Sequence, residues 1–127
     1  MASISPTQRT LKANRDIGRI CGIVEKFQQY GGKFGIRQDL FGFIDIIAID
    51  EKQGIVAIQS TGQDWSGHIK KIMGLEEIVI KWLHHAPLEL WAWRKIKNVR
   101  GGKAMIWKPR IADFFIDDNG KLYYKER

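Results

Sequence analysis

The fold of this chain is decided by GFIDIIAI at residues 42–49 and by GIVAIQST at residues 54–61, which a short polar turn separates. Both stretches are nearly continuous in apolar and β-branched residues, which is typical of strands covered on both faces. We therefore predict strands over residues 40–49 and 54–59 that form a hairpin. Such a hairpin requires packing layers above and below the sheet.

Helical and extended patterns surround this hairpin on both sides. Ser5 and Pro6 are a typical helix cap and first helical residue, and Asp64 is a plausible cap for a longer helix. The first helix is predicted to begin at residue 6 and to end at Gly18, and the second to run from residue 65 to about residue 84. Further strands are predicted over residues 19–27, 88–93, 104–116 and 122–124. The order α-β-β-β-α-β-β predicts one α/β domain over residues 1–127, a mixed β-sheet flanked by helices.

Composition narrows the class of protein. A net charge of +7 and a pI near 9.7 favour a polyanionic partner, because cationic side chains at phosphates release condensed counterions. Cys21 is the only cysteine, which excludes an intrachain disulfide and a cysteine-based zinc cluster, and its apolar neighbours predict a buried position. The chain has no bilayer-spanning apolar stretch and no signal-peptide core, so we expect a protein that is neither membrane-bound nor secreted.

One acidic residue, Asp45, stands inside the first apolar stretch, and Gln59 follows fourteen positions later in the second. A carboxylate in such a strand carries a desolvation penalty unless it is paired or binds a metal. A structural partner, either Arg37 or a backbone amide, would also explain it. Both explanations stay open at the level of sequence.

The order and spacing of these two stretches resemble the PD-(D/E)XK nuclease superfamily, and most closely its archaeal and phage Holliday-junction resolvases. In that family the first strand carries a metal-binding Asp, the second carries an acid, one further residue and a Lys, and a helix follows. The resemblance covers about half the chain. It implies a restriction-endonuclease-like fold, Mg²⁺ or Mn²⁺ as cofactor, hydrolysis of phosphodiester bonds in branched or duplex DNA, a homodimer, and the cytoplasm of a prokaryote or a phage-infected cell.

The match is complete at one position and altered at two. Asp45 corresponds to the acid of the first strand, whereas Gln59 stands where the second acid belongs and Thr61 where the Lys belongs. The resemblance places the metal at Asp45, Gln59 and the backbone carbonyl of Ser60, with Asp39 as a candidate second carboxylate. A glutamine oxygen is a neutral and weaker ligand than a carboxylate.

The missing family residues have candidate replacements elsewhere in the chain. Lys70 or Lys71, on the helix after the second strand, is a candidate for the absent Lys, and either a lysine or Thr61 would orient the attacking water. The first helix of the resolvases offers a Glu, for which Gln8 is the comparable residue here.

Basic side chains cluster along the sequence and are predicted to contact DNA. These nucleic-acid-binding candidates are Arg9, Lys12 and Arg15 in the first helix, then Arg37 and Lys71, and finally Arg94, Lys95, Lys97, Arg100 and Lys103 around a glycine pair. Trp91 and Trp93 alternate on one strand face, which indicates a core or an interface more often than a platform for base stacking. Exposed apolar and Trp-rich positions are candidates for the dimer interface.

Three interpretations follow from these patterns. The chain is a metal-dependent, structure-selective endonuclease; or a catalytically degenerate DNA-binding module on the same fold; or an interaction protein that uses the degenerate sheet as a scaffold. An accidental likeness to the nuclease fold is a separate alternative.

Overall fold

The computed structural model describes residues 4–30 and 34–127, with side chains over residues 4–26 and 38–127. The helices are α1 (Pro6–Asp16), α2 (Trp65–Gly74) and α3 (Glu76–Leu83). The strands are β1 (Ile20–Ile23), β2 (Lys26–Tyr30), β3 (Phe34–Gln38), β4 (Ile46–Asp50), β5 (Gly54–Thr61), β6 (Leu88–Lys97), β7 (Met105–Ile116) and β8 (Leu122–Glu126). None of the helices in these ranges has the length and apolarity needed to cross a membrane.

Six strands form one mixed sheet in the order β1-β4-β5-β6-β7-β8. Every neighbouring pair is antiparallel except β5 and β6, which run parallel. Parallel neighbours cannot be joined by a tight turn, and α2 and α3 supply the crossover between them. The predicted α/β class, with a mixed sheet and flanking helices, is confirmed.

Both faces of the sheet are covered, as the apolar runs predict. On one face, α1 packs through Leu11 against a cluster that includes Val56 and Ile58 of β5. On the other face, α2 and α3 cover the alternate residues of the same strand, beginning with Ala57. Because a strand alternates its side chains between faces, β5 contributes to both hydrophobic clusters. Its last residues are therefore held rigidly between two layers.

The hairpin of β4 and β5 forms as predicted, but the segments before β4 differ from the prediction. The predicted strand over residues 19–27 ends at Ile23, since the amides of Val24 and Glu25 both donate to the carbonyl of Asp45, at 2.9 and 3.3 Å. The chain then forms the separate hairpin of β2 and β3. The strand predicted to begin at Leu40 begins at Ile46, because residues 40–44 form a tight turn.

That turn is closed by a bridge between Leu40 and Ile44, and it holds Phe41 at φ 56° and Gly42 at φ 84°. A positive φ is unusual for a bulky residue such as Phe41, so surrounding structure must impose it. The apolar side chains of the turn gave it the sequence pattern of a strand.

Three further predictions are corrected. The helix predicted over residues 65–84 is two helices, because the chain leaves helical geometry at Leu75, directly after Gly74. The fourth strand does not end at Trp93 but continues to Lys97, and it pairs with β7 in a β-hairpin. Cys21 is partly exposed on the edge strand β1 rather than buried.

Both predicted helix caps are confirmed. Ser5 Oγ accepts a hydrogen bond from the amide of Gln8 at 3.2 Å, and Asp64 Oδ1 accepts one from the amide of Gly67 at 3.0 Å. Each cap satisfies one of the amides that a helix leaves free at its N-terminus. These local signals fix where α1 and α2 begin.

A buried ion pair lies between α1 and the sheet. Arg19 and Glu89 are 5% and 1% exposed, and they pair through Nη1–Oε1 at 2.8 Å and Nη2–Oε2 at 3.0 Å. Asp50 accepts from Arg19 Nε, while Trp91 and Arg127 donate to Glu89. The network satisfies both buried charges and ties the end of α1 to β4 and β6.

Candidate metal centre

Asp45 lies immediately before β4 and is 3% exposed. Its amide donates to the carbonyl of Ile58 at 2.9 Å, and its Oδ2 accepts from the amide of Ser60 at 2.8 Å and from Nε2 of Gln59. Of the two structural explanations open at the level of sequence, a backbone amide is present, while the side chain of Arg37 lies outside the described residues. These bonds hold the carboxylate against the C-terminal end of β5.

Two further carboxylates converge on Asp45. One oxygen from each of Glu25, Asp39 and Asp45 lies within 4.8 Å of the others. Asp39, six residues before Asp45, reaches the site because the tight turn over residues 40–44 folds it back. Glu25 reaches it because its amide bonds the carbonyl of Asp45. The sequence analysis missed Glu25, although an acid directly after the apolar run of residues 20–24 was a usable signal.

Proximity and burial set the charge of this cluster. Burial raises the pKa of Asp45 to about 8, a hydrogen bond with Asp39 adds to the rise, and the Ser60 amide opposes it. Burial also opposes ionisation of Asp39, but hydrogen bonds with Asp45 and Lys71 outweigh it and hold the pKa of Asp39 below its ordinary value. Asp39 is thus the ionised member of the pair at neutral pH, and Asp45 is the protonated member.

Lys71 is the cation that the structure brings to the site. Its Nζ donates to Asp39 Oδ2 at 2.6 Å. Ile69 and Ile72 fix the rotation of α2 by packing into the core, which leaves Lys71 on the side that faces the carboxylates. Lys70 is exposed and does not line the site. Of the two candidates for the missing lysine, Lys71 lies beside the carboxylates and Lys70 does not.

Gln59 presents an unsatisfied oxygen. The side chain is 2% exposed, and its Nε2 donates to Asp45. Its Oε1 is the one buried side-chain oxygen or nitrogen without a hydrogen-bond partner in the described part of the chain. Leaving such a group unpaired costs about 1–3 kcal/mol. A cation between this oxygen and the carboxylates would remove that cost.

The cluster lines a cavity of about 350 Å³ between the N-terminus of α1, the end of β5 and α2. Gln59, Ser60 and Thr61 contribute from β5, and Lys71 and His68 from α2. Thr61 is therefore placed where its hydroxyl can reach a bound group, as the sequence predicts. Gln8 is exposed on α1 and does not line the cavity.

The hydroxyl of Ser60 has a structural role on the opposite face of the sheet. Ser60 Oγ lies 2.7 Å from Oγ1 of Thr10 in α1, and Thr10 Oγ1 also accepts from Nε1 of Trp93 at 2.9 Å. This buried trio anchors α1 and β6 to the residue whose amide holds Asp45. Ser60 thus contacts Asp45 through its backbone amide, whereas the part assigned to it from the sequence was a backbone carbonyl that binds the metal, which stays a prediction.

The predicted DNA-contacting residues fall into separate groups. Lys12 pairs with Asp16 at 2.9 Å on the exposed side of α1, where Arg15 is also exposed, and the side chain of Arg37 lies outside the described residues. Exposed cations occupy the hairpin of β6 and β7, namely Arg94, Lys95, Lys97, Arg100 and Lys103. The guanidinium of Arg9 lies 4.3 Å from the ring centre of Trp107 on β7.

Trp91 and Trp93 are core residues. They are 4% and 7% exposed, with ring centres 6.2 Å apart, in the cluster beneath α1. The interpretation of these rings as packing residues is confirmed, and stacking on bases is excluded for both. Their burial also removes them from any dimer interface.

The donors that cluster around Asp45 are oxygens: three carboxylates and the unpartnered oxygen of Gln59. Such hard donors suit Mg²⁺ and Mn²⁺ rather than softer metals. The unpartnered oxygen of Gln59 and the crowded carboxylates fit a divalent cation. Comparison of the chain with protein-family models, with curated proteins and with solved structures gives no match.

Proposed function

We propose that this protein is a metal-dependent endonuclease that hydrolyses phosphodiester bonds in DNA, built on a restriction-endonuclease-like fold. One observation carries the proposal: Glu25, Asp39 and Asp45 meet within 4.8 Å beside the unpartnered oxygen of Gln59. A cluster of acids is common on protein surfaces, but a buried amide oxygen left unpaired beside one calls for a cation.

Each side chain has a role that its position supports. Asp45, Asp39, Glu25 and the oxygen of Gln59 would hold Mg²⁺ or Mn²⁺, which supplies charge stabilisation at the scissile phosphate and lowers the pKa of a bound water. The two additional carboxylates supply the negative charge that Gln59 does not. The Ser60 amide keeps the Asp45 carboxylate oriented.

Lys71 takes the place of the lysine that the nuclease motif has at Thr61. Its ammonium lies 2.6 Å from Asp39, which keeps it at the edge of the cavity beside the carboxylates. From there it can stabilise negative charge that develops on a phosphate. The hydroxyl of Thr61 lies on the same wall and can orient a water molecule.

The architecture also supports the proposal. A hairpin places an acid before β4 and the second motif at the end of β5, and a crossover helix that follows β5 returns a lysine to the site. A hairpin followed by a helix is the order that the resemblance to resolvases implies, whereas the lysine on that helix replaces one that the family carries on its second strand. A homodimer, a branched or duplex DNA substrate and a cytoplasmic location of prokaryotic or phage origin remain predictions that accompany the proposal.

Cleavage assays test this function directly. Wild-type protein, Asp45→Asn and the surface control Asp118→Asn would be incubated with junction, forked and linear DNA, in Mg²⁺, in Mn²⁺ and in EDTA. We expect metal-dependent cleavage by the wild type and the control, and a loss of at least about 100-fold in Asp45→Asn with DNA binding retained. Cleavage by Asp45→Asn at the wild-type rate would overturn the proposal.

A catalytically degenerate DNA-binding module is the second candidate. It is favoured by one observation, that Gln59 and Thr61 replace the charged residues of the second nuclease motif. This candidate predicts salt-sensitive DNA binding with no cleavage in either metal, by wild type and Asp45→Asn alike.

A further inference from the structure

The positive charge of the chain is concentrated in one hairpin. Residues 94–110, called the arm here, comprise the end of β6, the following turn and the start of β7. They contain seven Lys and Arg residues and no Asp or Glu. The other 110 residues contain fourteen Lys and Arg residues and fourteen Asp and Glu residues, so they are formally neutral. The whole net charge of +7 therefore belongs to the arm.

The arm extends from the end of the sheet that carries the carboxylates. β6 runs parallel to β5, with Thr61 opposite Ala92, so the residues of β6 after Trp93 continue beyond the site. At about 3.3 Å per residue, Arg94–Lys97 advance about 13 Å. Gly62 borders both the carboxylate cavity and an adjoining groove of about 340 Å³ at the base of the arm. A DNA strand that leaves the cavity past Gly62 would meet the arm at Arg94, on the sheet face of Thr61, and would cross the arm to reach Trp107 on the opposite face.

The cations of the arm are poorly neutralised by the protein itself. Of the seven cations of the arm, all of them described, only Arg110 has a salt bridge, to Glu126 at 2.8 Å. Arg94 and Lys108 stand directly opposite each other across β6 and β7. Like charges in that position destabilise a hairpin unless an anion lies between or above them. A phosphate backbone would relieve this repulsion along the whole arm.

Trp107 distinguishes the arm from a simple basic surface. It stands opposite Lys95, on the sheet face of the buried tryptophans, yet it is 37% exposed because it lies beyond the core. The guanidinium of Arg9 lies 4.3 Å from its ring centre. An exposed ring among cations is the combination that binds single strands, in which phosphates meet the charges and unpaired bases stack on the ring. Blunt duplex offers no free base face except at its ends.

We propose that the arm binds an unpaired DNA strand of the substrate, through phosphate contacts with its lysines and arginines and through stacking of a base on Trp107. This inference rests on the proposed function, because the strand is the continuation of the one that enters the carboxylate cavity. It names the substrate class as DNA with a single-stranded or splayed segment next to the scissile bond.

Binding measured in EDTA separates the arm from catalysis. Fluorescence anisotropy would compare three labelled DNAs of equal length: a single strand, a fork with an unpaired tail and a blunt duplex. The arm variant replaces Lys95, Lys97, Arg100 and Lys103 by Gln. The control variant, with the same change in net charge, replaces four exposed lysines outside the arm by Gln, namely Lys52, Lys81, Lys121 and Lys125.

At about 100 mM salt we expect the arm variant to bind the single strand and the fork at least about tenfold more weakly, with the salt slope reduced by about 0.7 for each lost phosphate contact. The control variant should change affinity by less than about threefold. Equal losses in the two variants would overturn the proposal, since they would show that only net charge matters.

Replacing Trp107 tests the stacking part. Trp107→Ala should weaken binding of the single strand and the fork by about 5- to 100-fold, with duplex affinity unchanged and with most affinity kept in Trp107→Phe. An equal loss on all three DNAs would overturn the proposal. Two outcomes separate this inference from the proposed function. If the fork binds through the arm but is not cleaved in any metal, the nuclease is refuted and the role of the arm stands. If the arm variant cleaves DNA as well as the wild type does, the role of the arm is refuted and the nuclease stands.

Discussion

Replacing Asp45 by Asn is expected to stabilise the metal-free protein at neutral pH. An Asn in this position can accept the hydrogen bonds from Gln59 and Ser60 through its oxygen, and its amide group can donate to the carboxylate of Asp39. The substitution keeps the shape of the side chain and removes a carboxyl group whose ionisation is opposed by burial of the site. Residues arranged for function often lower stability in this way.

The magnitude follows from the pKa of Asp45. Burial and Asp39 raise it from an ordinary 3.8 to about 8, and each pKa unit corresponds to about 1.4 kcal/mol, so complete ionisation of Asp45 would cost about 6 kcal/mol. At pH 7, about one unit below this pKa, about 4 kcal/mol of that cost is already present, and access of water to the cavity reduces it further. We therefore expect a gain of about 2 kcal/mol in the free energy of unfolding for Asp45→Asn at pH 7–8, on the order of a third of that ceiling.

The sign of the pH dependence is fixed by the direction of the shift. A carboxyl with a raised pKa in the folded state binds more protons there than in the unfolded chain. Its contribution to stability is therefore complete below pH 3.8 and is lost as the pH rises towards about 8. Wild type should lose stability over this range relative to Asp45→Asn, and the difference between them should grow steadily from pH 4 to 8.

Urea denaturation in EDTA, at several pH values between about 4.5 and 8, measures this difference. Asp118→Asn, in an exposed turn, is the control and should change stability by less than about 0.5 kcal/mol at every pH. Added Mg²⁺ or Mn²⁺ should stabilise wild type more than Asp45→Asn, because only the folded site binds the ion. The reasoning is refuted if Asp45→Asn is the less stable protein at pH 8 in EDTA.

Two other substitutions test the ion pairs. Glu89→Gln should lower the free energy of unfolding by about 3 kcal/mol, because it leaves the buried guanidinium of Arg19 with weaker partners. A loss below about 0.5 kcal/mol in urea denaturation would show that the buried ion pair does not stabilise the fold. Lys71→Met should lower the rate of DNA cleavage by at least about tenfold, while the matched Lys70→Met stays within about threefold of wild type. Equal rates for the two lysine variants, with both folded as judged by circular dichroism, would remove Lys71 from the mechanism.

Much of the fold could be read from local sequence, because the signals act over a few residues. Ser5 and Asp64 cap their helices as predicted, since a cap needs only the amides of the next turn. The β4–β5 hairpin follows from two apolar runs and the turn between them. Buried Asp45 beside Gln59 follows as well, because residues paired across a hairpin have a fixed separation in sequence.

The rest depended on contacts between distant segments. The turn over residues 40–44 and the early end of β1 look like strand in sequence, because apolar side chains there serve packing rather than regular pairing. Trp107 and Trp91 both lie within β-strands, but Trp107 is exposed and Trp91 is buried because the hydrophobic core ends before it reaches Trp107. No local pattern carries that information.

The sequence by itself determined the α/β class, the helix starts, the central hairpin and the presence of one costly carboxylate within it. Tertiary structure alone decided that Glu25 and Asp39 join this carboxylate and that Lys71 rather than Lys70 faces them. The reason is physical: periodicity and capping are set by neighbours along the chain, whereas a binding site is made where separate turns converge in space.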